Sequence, residues 1–225
     1  MKLGNMILLC LCLISCEPKE ISVVYRAAGS SDDEVYGIDK MDIVDTRGGY
    51  SSFAFGATSG FPGAMASGGG MGVPASIDGL WRKPKPTQNQ WGYRGFSDFY
   101  RIQAPIEHQR AAQKIRILRD YYEDFQPGYE GRFIIKVEEA RVRLFYTLDC
   151  FKKLDNCRPK KGVDPEGWVV NAPESSMDVV ALFDGIGESS KTPFPGTRSA
   201  EKMAYCLTHK QDKKCYGWVP YHETP

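Results

Sequence analysis

Between Arg132 and Leu148 the chain alternates apolar and polar residues in two successive runs. Phe133, Ile135 and Val137 occupy every second position, and Val142, Leu144 and Tyr146 do the same after a bend at Glu138-Glu139. Successive side chains of a strand point to opposite faces, so each run presents one apolar face. Two such runs around a polar bend predict a β-hairpin. A lone hairpin is marginally stable in water, so its apolar face must be covered by further strands or a helix. The rest of the chain has to supply them.

It does so mainly with strands. Ile21–Tyr25, Val35–Asp45 and Tyr50–Phe55 read as strands, the second with apolar residues at Ile38, Met41, Ile43 and Val44 between breakers. Ile77–Arg82 carries Trp81, and the lysine- and proline-rich stretch from Lys83 to Pro86 interrupts it. Trp91–Ile102 is an aromatic-rich strand broken at Gly95, and its rings read as core rather than as a sugar-binding stripe. Gly167–Val170 and Met177–Phe183 add two more. One segment has helical periodicity. After Pro105, which suits a first helical turn, Ala111, Ile115, Leu118, Tyr122 and Phe125 share a face, and Pro127-Gly128 ends the pattern. The composition, with 23 Gly, 14 Pro, 12 Tyr and 11 Phe, agrees with a turn-rich sheet protein. The predicted fold is α+β: a mainly antiparallel, sandwich-like β-sheet with one amphipathic helix packed on it.

The N-terminus carries a different message. Lys2, an apolar run from Met6 to Ile14 and then Leu13-Ile14-Ser15-Cys16 form the layout of a bacterial lipoprotein signal. The run is nine residues, against the roughly 20 that span a bilayer. Residues 1–15 are predicted to be a signal peptide, with Cys16 lipidated as the first mature residue. Residues 16–20 form a short tether, and 21–225 form a single β-rich periplasmic domain. Glu17 follows the cysteine, and by resemblance to Gram-negative lipoproteins this implies sorting to the outer membrane, on its periplasmic face. Cleavage removes only Lys2 among charged residues, turning a chain of net charge +1 into a neutral one. Neutrality gives no reason to expect nucleic acid as a partner.

Cysteine usage agrees with export. Of the 7 cysteines, Cys10 and Cys12 leave with the signal and Cys16 takes lipid, so Cys150, Cys157, Cys206 and Cys215 remain. Four cysteines in an oxidising compartment imply two disulfides with three connectivities. Cys150–Cys157 and Cys206–Cys215 are favoured because each pair brackets a short polar loop. Zinc is disfavoured: the pairs have six and eight intervening residues, and only His209 lies nearby.

Catalytic and nucleotide motifs fail on inspection. Gly185-Ile186-Gly187-Glu188-Ser189-Ser190-Lys191-Thr192 follows the apolar strand at Val179–Phe183 and resembles a P-loop, with Ser190 in place of the second glycine. A P-loop needs that glycine, and a helix whose N-terminus meets the phosphate. Pro193-Phe194-Pro195-Gly196 forbids a regular helix there. Ser189 and Ser190 lack the G-x-S-x-G elbow, and His108, His209 and His222 are the three histidines available as bases. The chain reads as a non-enzyme without cofactor or metal. The glycine-rich run Gly56–Val73 reads as a mobile connection, with a phosphate cradle or a partner-facing loop as the alternative; the phosphate reading is weakened because no G-x-G-x-x-G between a strand and a helix is present.

Leu148-Asp149-Cys150-Phe151-Lys152-Lys153-Leu154-Asp155-Asn156-Cys157, with Arg158-Pro159-Lys160-Lys161 and Asp164-Pro165-Glu166-Gly167-Trp168 after it, is distinctive, as is Gly187 through Arg198. With the lipobox and the glycine-rich middle, these segments resemble the bacterial lipoproteins encoded beside type VI secretion phospholipase effectors. Members of that group are regarded as immunity proteins that bind and silence the cognate lipase in the periplasm. The resemblance implies a secreted lipase or phospholipase effector as partner, attachment to the membrane through the lipid anchor, and no nucleotide. The alternatives are a structural or assembly lipoprotein of the outer membrane and a sugar-binding module. The first choice for the contact is the loop Gly185–Arg198, with Phe194 as apolar anchor, Lys191 and Arg198 as charges, and prolines that limit the entropy lost on docking.

Overall fold

The computed structural model describes residues 23–30, 34–67, 69–84, 96–123, 131–148, 157–173, 177–215 and 218. The first sheet runs in the order β10 (Val169–Asn171), β11 (Asp178–Ile186), β9 (Arg141–Leu148), β8 (Gly131–Glu138), β1 (Val23–Ser30), β5 (Ala64–Ser67). The second runs β12 (Glu188–Ser190), β7 (Phe96–Pro105), β6 (Pro74–Pro84), β2 (Tyr36–Asp45), β3 (Tyr50–Ser52), with β4 (Gly56–Thr58) also paired to β2. All pairings are antiparallel except β1 with β8. The architecture is the α+β, sandwich-like one expected.

The hairpin forms as read, with Phe133 opposite Tyr146, Ile135 opposite Leu144 and Val137 opposite Val142. Its bend sits at Glu139, which takes the left-handed conformation at φ 51°. These six residues join Ile38, Met41, Ile43, Ile77, Trp81 and Ile102 of the other sheet in one core. Helix α1 (His108–Asp120) adds Ala111, Ile115 and Leu118 to it and packs mainly on β11. The helix is shorter than its periodicity suggested. Pro105 closes β7 instead of opening the helix, Tyr122 is buried just beyond the last turn, and Phe125 lies outside the described residues.

Two segments depart from the sequence reading. The glycine-rich stretch is not a loose connection: it supplies β4, β5 and a cover for the far face of the first sheet. Phe61 meets Phe145 edge-on at 6.0 Å and packs on a second core of Ala27, Ile134, Phe145, Ala172 and Val179. Glycine is required for this close approach. A Cβ on Gly63 would lie 2.1 Å from the Ala28 carbonyl oxygen, and Gly63 has φ +80°. The second departure is a further helix, α2 (Arg198–Thr208), beyond the one amphipathic helix that the sequence pattern predicts. Thr197 caps it by accepting the Ala200 N–H at 3.2 Å. Cys206 of α2 is buried and bonded to Cys215, which ends a short 3-10 turn at Lys213–Cys215. Cys157 is also disulfide-bonded, and Cys150 and Cys16 lie outside the described residues. No helix among the described residues is long and apolar enough to cross a membrane.

Candidate functional site

A cleft of about 660 Å³ opens where α2 and the loop before it lie against β6 and β7. Its inner wall is made by Trp81 and Tyr100, stacked with ring centroids 5.5 Å apart. Both are nearly fully buried, and the Trp81 indole N–H donates to the Glu139 carbonyl at 2.7 Å. Burial, then the negative charges of Asp98, Glu139 and Glu34, pushes the Tyr100 hydroxyl up to about 12, so it stays protonated at neutral pH.

Arg82 forms the polar wall. Its guanidinium pairs with Asp39 at 3.1 Å, donates to the Ser199 hydroxyl at 3.2 Å, and stacks over the Phe96 ring at 4.0 Å with Trp218 at 5.2 Å. Ser199 in turn donates to Asp39 at 2.9 Å, closing a triangle that ties α2 to β2 and β6. The Arg82 Nε is buried and has no hydrogen-bond partner among the described residues. Burial lowers the pKa of Arg82; Asp39 opposes that lowering, and the like charge of Arg198 adds to it. A second cation has therefore been brought close to one that is already desolvated.

The segment that resembles a P-loop forms the rim. Glu188–Ser190 pairs with Arg101, Tyr100 and Phe99 of β7 as strand β12. Gly187 is required for packing: a Cβ there would lie 2.4 Å from the Arg101 carbonyl oxygen and 3.0 Å from the Trp81 ring. An ion pair of Arg101 with Glu188 at 2.8 Å and one of Lys191 with Asp98 brace the segment from outside. Burial tends to raise the Asp98 pKa, but the Lys191 ammonium, with a Ser97 hydrogen bond, outweighs this and holds it below the usual range.

The three residues proposed for partner contact share this region but differ in role. Phe194 is half-buried at the mouth of the cleft, with the Arg101 guanidinium 4.7 Å from its ring, and its carbonyl accepts the Thr197 hydroxyl at 2.7 Å. Arg198 is exposed on the rim at the first position of α2 and makes no ion pair among the described residues. Lys191 lies outside the cleft lining and is committed to Asp98, although its side chain is 82% exposed. Sequence reasoning missed Arg82, Trp218 and Lys202. The signal for Lys202 was its spacing of four from Arg198, hidden because the prolines before Thr197 concealed a helix start.

Of the residues weighed for hydrolysis, Ser190 and His209 are engaged locally, and His222 lies outside the described residues. Ser190 Oγ accepts the Thr192 N–H at 3.1 Å, and His209 stacks on Tyr205 at 4.1 Å with Nδ1 facing the Tyr205 carbonyl and the Thr208 hydroxyl. Among the described residues no group of three or more His, Cys, Asp or Glu is placed to hold a metal ion. No known family model, curated protein or solved structure matches the chain.

Proposed function

We propose that this protein is a lipid-anchored immunity protein that binds and neutralises a secreted phospholipase effector at the periplasmic face of the outer membrane. The observation that carries the reading is the braced cleft. A rigid wall of Trp81, Tyr100 and the Arg82–Asp39–Ser199 triangle stands behind a rim displaying Phe194 and Arg198. A stoichiometric inhibitor works by complementarity to a partner, and a preorganised rim lowers the ordering cost of docking. The lipobox ending at Cys16 supports the location, and the segments Leu148–Trp168 and Gly187–Arg198 support the class by resemblance. Anchoring inhibitor and target in one compartment raises their effective concentration.

The sugar-binding alternative needs aromatic faces open to a pyranose ring. Trp81 and Tyr100, at 1% and 5% exposure, spend their faces on each other and on the core, which disfavours it. The immunity reading is tested by titrating the protein with the phospholipase encoded beside its gene. A 1:1 complex tighter than micromolar is expected, and Phe194→Ala should weaken it by about 1 kcal/mol or more, roughly fivefold, with an unchanged thermal midpoint. Absence of binding by the wild type at micromolar concentration would replace this reading with that of a structural lipoprotein.

A further inference from the structure

The cleft carries a charge arrangement that folding alone does not call for. Arg198 and Lys202 are four apart on α2 and both line the cleft, so they stand on one helix face one turn apart. Neither makes an ion pair among the described residues. Arg198 occupies the first position of the helix, where exposed N–H groups and the macrodipole favour an anion over a cation. It also stands near Arg82, whose own charge is already matched by Asp39. Glu201, exposed on the same rim, offsets one of the two remaining charges, so the opening keeps an excess of one positive charge. Around these charges the lining is apolar, with Leu80, Phe99 and Phe194.

Resting on the immunity reading, we infer that the cleft between α2 and β6–β7 receives a segment of the effector in which a carboxylate side chain stands next to an apolar one. The carboxylate meets Arg198 and Lys202, and the apolar side chain enters between Phe194 and the aromatic wall. A volume of about 660 Å³ lies within the range of small-ligand sites and accommodates a few side chains, not a folded element. Charge complementarity selects the occupant. An acidic segment relieves the repulsion between Arg82 and Arg198 and adds to Glu201 a further anion near the start of α2, whereas a basic segment would increase the positive excess.

The test compares the full-length, detergent-solubilised lipoprotein with its Arg198→Glu/Lys202→Glu double variant in calorimetric titrations against the adjacent phospholipase. Arg158→Glu/Lys161→Glu, at two exposed positions outside the cleft, matches the change in net charge and serves as the control. Affinity should fall by about a hundredfold or more in the double variant, because like charges would then face each other across the contact. The control should bind as wild type, and the thermal midpoint of the double variant should hold or rise because Glu suits the start of α2. Wild-type affinity in the double variant would overturn the cleft assignment and leave the immunity reading standing, while no binding by the wild type would remove both. Saturable binding of dihexanoyl-phosphatidylglycerol, abolished by the double variant with effector affinity unchanged, would overturn it in favour of a lipid headgroup.

Discussion

Replacing Asp45 by Asn should cost about 3 kcal/mol of stability, although it changes one atom. The Asp45 residue is 4% exposed and organises two chain segments. Oδ1 accepts the N–H groups of Arg47 at 2.9 Å and Gly49 at 2.8 Å, which shapes the turn between β2 and β3. Oδ2 accepts the N–H of Gly72 at 2.7 Å and so pins the end of the glycine-rich cover to the second sheet. An amide keeps the first pair in weakened form and turns an N–H toward the Gly72 N–H. A hydrogen bond to a charged group contributes about 1.5–3 kcal/mol, and a buried donor left unmet costs about 1–3 kcal/mol, so a total near 3 kcal/mol follows. For a chain of this size that is roughly 6–12 °C in thermal midpoint. The effect has a pH signature. Burial works to raise the Asp45 pKa, but the three N–H donors and Arg47 outweigh it and hold it below the usual range. Its stabilisation is therefore complete above the unfolded-state value, about 3.9, and disappears as pH falls through the lower folded-state value. Denaturant unfolding of both proteins from pH 7 to pH 3 should give a constant difference down to about pH 4 and a shrinking one below. A penalty under about 1 kcal/mol at pH 7, or one that does not change with pH, refutes the argument.

Two further predictions rest on separate features. Gly187→Ala should destabilise by about 1–3 kcal/mol in denaturant unfolding, because its Cβ would press on the Arg101 backbone and the Trp81 ring; a neutral substitution would mean that β12 is not held against β7 as described. Cys16→Ser should abolish palmitate labelling and release the protein from the outer-membrane fraction; a labelled, membrane-bound variant would show that the anchor lies elsewhere.

What the sequence determined by itself was whatever repeats with a short period. Alternation at Phe133–Val137 and Val142–Tyr146 specifies a hairpin, and the spacing of Ala111, Ile115 and Leu118 specifies a helix face, because the backbone geometry of each element imposes its own period. The short Cys206–Cys215 ring was legible for the same reason of proximity along the chain. Tertiary structure alone decided the parallel pairing of β1 with β8, and the use of Gly60–Gly63 as a lid over Phe145. The same holds for the meeting of Arg82, Asp39 and Ser199 from three separate elements. Glycines signal freedom in a sequence, yet at Gly63 and Gly187 that freedom is spent on close backbone approach, a demand that comes from partners distant in the chain. The candidate cleft is likewise a product of long-range packing. Phe194 and Arg198 could be suspected from their loop, but Lys202, Trp81 and Tyr100 acquire meaning only when α2 comes to rest on the second sheet.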